Sequence, residues 1–396
     1  MKFEMKTKAL RFLSDIQTGP FGSQLHKEDY VDDGTPIVTV EHLGNRVFTE
    51  QNLPRVSNED KQRLSKYILK EGDIVFSRVG SVDRCSFVDS QHTDWLFSGR
   101  CLRVRPFEEI SPLFLYYFFC LESTKKFMRN IAVGATMPSI NTKLMGEIEV
   151  SYPDKQVQEK IANFLGAIDD KIELNNAIND NLYEMVSAYY TSLFKDVECE
   201  MTTIGNYAER IYSGGTPTTS NAAYWGGTFG WFSSGETRNR FVISTEKSIT
   251  QTGIDNSSTK LASKHDIVMA SAGQGFTRGQ TSMLLIDTYV NQSVIVIHAD
   301  RNILPYLFWN LANRYEELRA ISDSSSIRGS LTTKMIAAFE IPLANNDVIQ
   351  TFSDFAWAVI PQIENNLLEN ERLAALRDSL LPKLMSGELD VSAVEL

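Results

Sequence analysis

Residues 157–194 read VQEKIANFLGAIDDKIELNNAINDNLYEMVSAYYTSLF, and residues 348–385 read VIQTFSDFAWAVIPQIENNLLENERLAALRDSLLPKLM. The apolar positions of the two stretches stay in one register, at the constant offset of 191 residues that separates 157 from 348. These positions recur at alternating steps of four and three, which is typical of a coiled-coil seam on one helix face. The sequence therefore predicts two long helices that pair with each other.

The predicted pairing seam is apolar except for four asparagines and Arg377, which stands where the first copy has Val186. A buried asparagine fixes the register of a helix pair, because mispairing would leave its amide without a partner. The seam comprises Ile161, Leu165, Ile168, Ile172, Asn175, Asn179, Leu182 and Val186 in the first copy, and Phe352, Val359, Ile363, Asn366, Asn370 and Leu373 in the second.

An alternative is that each helix only covers its own neighbouring domain, although such helices usually carry a wider apolar stripe. About 33 residues at a rise of roughly 1.5 Å per residue would give a helix of about 50 Å, which suits a spacer. Pro361 removes one backbone hydrogen bond inside the second copy. We therefore expect a kink or a late helix start there.

The composition bounds the class of protein. A chain of 396 residues suggests two or more domains. Its apolar runs are too short to cross a bilayer, and its four widely spaced cysteines predict free thiols and a cytoplasmic location. The net charge is −11, but the acidic excess lies mainly in segments 151–197 and 343–396. The remaining segments are close to neutral, so a basic face on each is compatible with the total charge.

The chain divides into four alternating segments: a mixed helix and strand domain at 1–150, the first long helix at 151–197, a second mixed domain at 198–342 and the second long helix at 343–396. The two mixed domains repeat each other, since EGDIVFSRVG (71–80) matches KHDIVMASAG (264–273) and INTKLMGEIEV (140–150) matches LTTKMIAAFEI (331–341). Their loops hardly match. A duplicated scaffold with unlike loops is suited to presenting two different binding surfaces.

Catalytic and metal chemistry is not evident in the sequence. The five histidines lack ligand spacing, and no GxxxxGK[ST] loop is present. No Asn-Pro-Pro-aromatic or Asp-Pro-Pro-aromatic tetrapeptide, typical of amino-methyltransferases, occurs either. We therefore predict no catalytic residue and no metal site. Asp73 and Asp266, each opening an apolar run, are interpreted as turn residues.

Polar and cationic loop residues remain as candidates for DNA contact. Arginine can bind guanine, and asparagine or glutamine can bind adenine, through two hydrogen bonds, whereas serine, threonine and lysine mostly contact phosphates. For each residue, a solvated surface charge or an ion pair stays open as the alternative. The candidates are Ser23, Arg78, Arg84, Asn141, Lys143, Thr216, Thr218, Arg238, Arg240, Arg278, Arg328 and Lys334.

The helical repeats, SGGTP at 213–217, the paired DIV segments at Asp73 and Asp266, and LLPKLMSGEL at 380–389 together resemble the DNA-specificity subunits of type I restriction-modification systems. The resemblance implies an α+β fold, with two mixed α/β target recognition domains related by pseudo-twofold symmetry and separated by two long antiparallel coiled-coil-like helices. Each domain would read one half of a bipartite, asymmetric site in double-stranded DNA.

The resemblance also implies partners. Two methyltransferase (modification) subunits would dock on the helices and bind S-adenosylmethionine, and restriction endonuclease/translocase subunits would join them. This chain would then be non-catalytic, bind no cofactor itself and not contact a membrane. The acidic helices, including Glu364, Glu369 and Glu371, would face protein partners. Two other hypotheses are a self-sufficient DNA modification enzyme and a duplicated protein-binding adaptor without DNA specificity.

Overall fold

The computed structural model describes residues 4–22, 24–195, 197–273, 277–324 and 329–389. The chain forms two compact units: the first unit spans residues 1–172 and 372–396, and the second unit spans residues 173–371. The division cuts through both helical repeats. Each unit therefore holds one mixed domain together with a part of each long helix.

The mixed domain of the first unit has three sheets. Strands β2, β9, β6 and β7 form an antiparallel main sheet in that order, strands β3, β5, β4 and β8 form a second sheet, and β1 pairs with β10. The strands are β1 (Lys6–Ala9), β2 (Ser14–Thr18), β3 (Tyr30–Val31), β4 (Thr35–Val38), β5 (Arg55–Val56), β6 (Ile74–Ser77), β7 (Cys85–Phe87), β8 (Leu96–Phe97), β9 (Cys101–Pro106) and β10 (Glu149–Tyr152). The helices are α1 (Asn58–Arg63), α2 (Pro112–Cys120), α3 (Glu122–Ile131) and α4 (Thr142–Gly146).

The apolar run of β6 follows from its place between two cores. Ile74 and Phe76 pack with helix α2, whereas Val75 on the opposite face packs with the second sheet. A strand buried on both faces is continuously apolar instead of alternating. Helix α2 starts at Pro112, because the Ser111 side chain caps it and the proline is tolerated in its first turn.

Helix α5 (Lys155–Phe194) leads into the second unit, which repeats this plan with additions. Strands β12, β20, β17, β18 and β14 form the main sheet, β15, β13, β19 and β16 form the second sheet, and β11 pairs with β21. The strands are β11 (Glu200–Thr203), β12 (Ala208–Ser213), β13 (Trp225–Phe232), β14 (Phe241–Val242), β15 (Lys247–Ile249), β16 (Lys260–Ala262), β17 (Ile267–Ala270), β18 (Thr281–Leu284), β19 (Thr288–Val290), β20 (Val294–Ala299) and β21 (Glu340–Leu343). The helices are α6 (Gln251–Asp255), α7 (Leu304–Asn313), α8 (Tyr315–Ser324) and α9 (Thr333–Ala337), and α10 (Asn346–Met385) follows.

The predicted long helices are confirmed, and each is longer than expected. Helices α5 and α10 both have 40 residues, or about 60 Å at 1.5 Å per residue. The expected late start at Pro361 is wrong, since α10 begins at Asn346 and continues through the proline. Pro361 is exposed on the helix surface, where water can satisfy the carbonyl group that loses its partner.

In the second unit the two helices run antiparallel and are joined by side-chain amides. Asn175 donates to Asn370 at 2.9 Å and to Glu369 at 2.8 Å, and Asn366 donates to Asn179 at 2.8 Å. The partner number falls as the residue number rises, as antiparallel pairing requires. All fourteen residues of the predicted seam are buried or half-buried.

In the first unit the corresponding contact is ionic. Arg377, which interrupts the apolar seam in the sequence, lies 2.6 Å from the buried carboxylate of Asp169, and Tyr117 donates to the same carboxylate at 2.6 Å. Burial opposes charge on Arg377, but the attraction of and hydrogen bonds to Asp169 and Asp378 together outweigh it and raise the pKa of the guanidinium. The arginine is therefore a paired member of the helix contact.

The helices also contribute to the cores of both units. Ile161 and Leu165 of α5 and Leu384 of α10 belong to the first-unit core, whereas Val186 of α5 and Phe352 of α10 belong to the second-unit core. The helices therefore pair with each other and also pack on the domain cores, so the alternative that each helix only covers its own neighbouring domain is wrong.

Candidate nucleic-acid interface

One end of the first-unit main sheet gathers three connections. The loop at 19–22 follows β2, the loop at 98–100 precedes β9, and Arg78 follows β6. The Gly19 N–H donates to the Cys101 carbonyl at 3.2 Å. A Cβ at Gly19 would lie 2.1 Å from the Ser98 carbonyl oxygen, so only glycine permits this approach.

These loops line a groove of about 570 Å³ in the first unit. Its wall includes Phe21 and Tyr30, which are 52% and 38% exposed, together with the exposed Arg100. The guanidinium of Arg78 lies 5.3 Å from the centre of the Phe21 ring. A groove that combines exposed aromatic rings with arginines has the chemistry that binds nucleic acid through stacking and hydrogen bonds.

His42 forms part of the groove wall as a buried, hydrogen-bonded residue. Its Nδ1 accepts from the Thr39 N–H at 3.0 Å, and its Nε2 lies 3.2 Å from the Gln51 carbonyl oxygen, to which it donates. Burial lowers the pKa of His42 and outweighs the opposing effects of Gln51 and Glu41. The imidazole is therefore neutral near pH 7 and supports the loop at 39–42.

The second unit has the same junction of connections at the same end of its main sheet. The loop at 214–218 follows β12 and the loop at 291–293 precedes β20. The Gly214 N–H donates to the Asn291 carbonyl at 3.2 Å, and the Gly215 N–H donates to the Val290 carbonyl at 3.1 Å. We call residues 19–22 and 98–100, and residues 214–218 and 291–293, the sheet-end loops of the two units.

Several predicted DNA-contacting arginines are engaged within their own unit. Arg240 pairs with Asp180 of α5 at 3.2 Å and lies over the Tyr183 ring at 4.2 Å. Arg278 pairs with Asp323 of α8 at 2.7 Å. Arg84 donates to the Leu43 carbonyl, and Arg238 pairs with Glu246. The structure therefore places these four guanidinium groups in internal contacts, the alternative that the sequence left open.

The other candidates have varied positions. Asn141 caps α4 by accepting from the Leu144 N–H at 2.9 Å. Lys143 and Lys334 are exposed in the short helices α4 and α9. Thr216 donates to the side chain of Gln292, and the carbonyl of exposed Thr218 accepts from the Trp225 indole at 3.3 Å. Ser23 and Arg328 lie outside the described residues.

Within the described ranges, no three His, Cys, Asp or Glu side chains gather closely enough to hold a metal ion. None of the described helices has both the length and the apolar character that a membrane crossing requires. Asp73 and Asp266 have buried side-chain contacts as well as their role in turns, because Arg105 forms an ion pair with Asp73 and the imidazole of His298 contacts Asp266.

Comparison with known proteins finds the same family in both halves of the chain. A family model described as "Type I restriction modification DNA specificity domain" matches residues 4–184 and again residues 197–369. The chain belongs to this family. It is a type I restriction-modification DNA-specificity chain that carries the family's domain twice, as the sequence motifs predict.

Relatives match the chain over most of its length. The type I restriction enzyme HindI specificity subunit of Haemophilus influenzae is 22% identical over 84% of this chain and 90% of its own length. The type I restriction enzyme MjaIX specificity subunit of Methanocaldococcus jannaschii is 19% identical over 97% of this chain and 93% of its own. The crystal structure of the type I restriction-modification system S subunit from M. genitalium has a TM-score of 0.57 at 17% identity and covers 96% of both chains, which supports the shared fold.

Sequence reasoning missed three exposed or half-exposed side chains of this specificity chain: Phe21, Arg100 and Gln292. All three stand on sheet-end loops. The signal was present in the repeat, since aligning β2 with β12 and β9 with β20 brings together loops whose backbone matches and whose side chains differ. Choosing residues by charge alone favoured arginines that have internal partners.

Proposed function

We propose that each unit of this specificity chain reads one half of a bipartite, asymmetric site in double-stranded DNA. One observation carries the proposal: equivalent strand ends in the two units present sheet-end loops of unlike side chains, with Phe21 and Arg100 in the first unit and Thr216 and Gln292 in the second. Different side chains at equivalent loops of a duplicated scaffold are suited to recognising two different half-sites.

We further propose that the chain is non-catalytic, cytoplasmic and cofactor-free, and that it directs two methyltransferase subunits that bind S-adenosylmethionine. Restriction endonuclease/translocase subunits would join that complex. Family membership supports this division of labour, as does the lack of a recognisable methyltransferase tetrapeptide in the sequence. The long helices are the proposed docking surface for the methyltransferase.

The acidic residues that were expected to face protein partners have roles inside the second unit. Glu364 pairs with Lys264 at 2.6 Å, Glu371 accepts from Ser244 at 2.5 Å, and Glu369 accepts from Asn175 at 2.8 Å. Reversing these charges would disturb the unit itself. Glu159 is exposed on α5 and is therefore better suited to a charge-reversal variant that tests methyltransferase docking.

The decisive experiment is methylation mapping. The chain is co-expressed with its cognate methyltransferase subunit in a methylation-free host, and genomic DNA is sequenced for N6-methyladenine. The proposal predicts a bipartite, asymmetric motif with a fixed internal spacer. Exchanging residues 198–342 for those of another specificity subunit should change one half of the motif only. A soluble complex that adds no motif would contradict the proposal.

A binding measurement separates DNA recognition from a protein-adaptor function. Specific duplex binding by the assembled complex should weaken steeply with rising salt, because each phosphate contact releases counterions and contributes about −0.9 to the slope of log K against log salt. An adaptor without DNA specificity would show no preference for the mapped motif over a scrambled duplex at any salt concentration.

A further inference from the structure

The sheet-end loops occupy one structural position that is built twice. In the first unit the ladder between β2 and β9 ends at the pair Thr18 and Leu102. In the second unit the ladder between β12 and β20 ends at the pair Ser213 and Ile295. The loops begin directly beyond these pairs, so they leave equivalent strand ends and meet each other in both units.

The backbone at this junction has little freedom. A Cβ at Gly19 would lie 2.1 Å from the Ser98 carbonyl oxygen, and a Cβ at Gly214 would lie 1.9 Å from the Val290 carbonyl oxygen. Gly19 therefore allows its loop to rest directly on the loop at 98–100, and Gly214 allows its loop to rest on the end of β19, next to the loop at 291–293. Because the backbone is fixed, the difference between the units at this position lies in the neighbouring side chains.

In the first unit the distinctive side chain is Arg100, one residue before β9. It is exposed on the wall of the groove, and its guanidinium makes no hydrogen bond or ion pair with any described residue. Arg240 and Arg278, by contrast, are held by carboxylates of their own unit. Arg100 thus offers a full set of donors beside the exposed ring of Phe21.

In the second unit the position equivalent to Arg100 carries Ser293, and the distinctive side chain is that of its neighbour Gln292, which lies two residues before β20 and is exposed. The Thr216 hydroxyl donates to Gln292 Oε1 from the other sheet-end loop. This bond orients the amide and leaves its nitrogen, which has no partner among the described residues, as a free donor. A second lone pair on Oε1 remains available as an acceptor.

We infer that the sheet-end loops are the base-reading elements of the two units, with Arg100 reading guanine and Gln292 reading adenine. Arginine donates two hydrogen bonds to guanine O6 and N7, and glutamine exchanges two with adenine N6 and N7. Phe21 would contact the DNA beside Arg100, and Arg78, stacked on Phe21, would act as a positioning residue. This inference rests on the proposed function and assigns its specificity to named residues.

The first-unit test is methylation mapping with Arg100→Ala in the full complex. One G·C position in one half of the motif should become degenerate, with discrimination there falling about 5- to 150-fold, while the other half stays intact. Arg11→Ala is the matched control, because Arg11 is an exposed arginine at the opposite end of β2, paired with Glu147. The control should leave the motif unchanged.

The second-unit test is Gln292→Ala, which should relax one A·T position in the other half of the motif. Gln251→Ala is its control, since Gln251 is exposed at the start of α6 and outside the sheet-end loops. A third variant, Arg100→Gln, replaces the guanidinium donors with an amide that has both a donor and an acceptor. Its mapped position should lose guanine preference and gain adenine, because the glutamine amide matches the adenine edge.

The outcomes separate this inference from the proposed function. A wild-type complex that adds no motif contradicts the proposed function. A wild-type bipartite motif that is unchanged in Arg100→Ala and Gln292→Ala overturns the inference alone. A uniform loss of methylation at all sites, with the motif unaltered, also overturns it, because that result indicates phosphate contacts. Relaxation at one position in the expected half supports it.

Discussion

Both units contain a buried aspartate just before the central strand of the main sheet, but the partner of its carboxylate differs between them. Asp73 precedes β6 and Asp266 precedes β17, and their side chains are each 1% exposed. Two guanidinium nitrogens of Arg105 contact Asp73 at 2.7 and 2.6 Å. The equivalent residue on β20 is His298, whose Nδ1 lies 2.5 Å from Asp266.

This difference shows what the duplicated scaffold needs at the start of its central strand. The aspartate accepts a backbone N–H three residues earlier in both units, at 2.8 Å in the first and 2.9 Å in the second, and so shapes the turn. Its remaining oxygen requires a donor from the neighbouring strand, because a buried unpaired charge is costly. Arginine and histidine both meet that requirement, so the partner could diverge while the turn stayed constant.

The largest expected effect is that of Arg105→Ala. The substitution leaves the Asp73 carboxylate buried without its ion pair, and we expect a loss of about 3–5 kcal/mol in the stability of the first unit. Hydrogen exchange of the β6 amides, measured by mass spectrometry, checks this locally. Arg129→Ala, which removes an exposed ion-pair partner of Asp83 and Glu122, should cost less than about 1 kcal/mol. Equal effects of the two variants would contradict the ion-pair interpretation.

A smaller effect is expected for His298→Ala in the second unit. One hydrogen bond to a charged group is lost, which is worth about 1.5–3 kcal/mol, and exchange should increase in β17 and leave β6 unchanged. His298→Arg sharpens the comparison, because it copies the first-unit pairing and should restore most of the protection. No difference between the alanine and arginine variants would show that the two positions are not equivalent.

The sequence predicted the elements that have a periodic or a repeated pattern. The heptad spacing of Ile161 to Val186 gave helix α5, and the matching DIV segments gave β6 and β17. It could not predict which cations meet which carboxylates, because Arg105 is 32 residues from Asp73 along the chain. The same reason applies to the candidate arginines: Arg240 meets Asp180 only through the fold, whereas Arg100 has no such partner among the described residues.

The contacts between the long helices also differ between the units: the second unit uses asparagine amides where the first uses Asp169 and Arg377. Their expected effect on stability is smaller. Asn179→Ala removes the acceptor of the Asn366 hydrogen bond and should cost about 0.5–1.5 kcal/mol in denaturant unfolding of the complex. Asn181, exposed on the same helix, supplies the control Asn181→Ala. If both variants unfold alike, the amide layer does not hold the helix pair in register.

The smallest expected effect is the pH dependence of stability, which involves one histidine in each unit. Burial lowers the pKa of His42 in the first unit and, with the charges of Lys264 and Arg301, that of His265 in the second. The unfolded chain therefore binds protons that the folded units resist, so stability should fall as the pH drops below about 6.5 and level off below the folded-state pKa.

His42 should account for most of this acid sensitivity in the first unit, because its Nδ1 accepts the Thr39 N–H and a proton there would break that bond. His42→Gln removes the titrating group and should flatten the decline in first-unit stability between pH 7 and pH 5, measured by hydrogen exchange after correction for the intrinsic rate. His265 is unchanged in that variant, so the second unit should keep its decline. A first unit that stays equally acid-sensitive without His42 would assign the effect to its carboxylates, among which Asp73 is the most deeply buried.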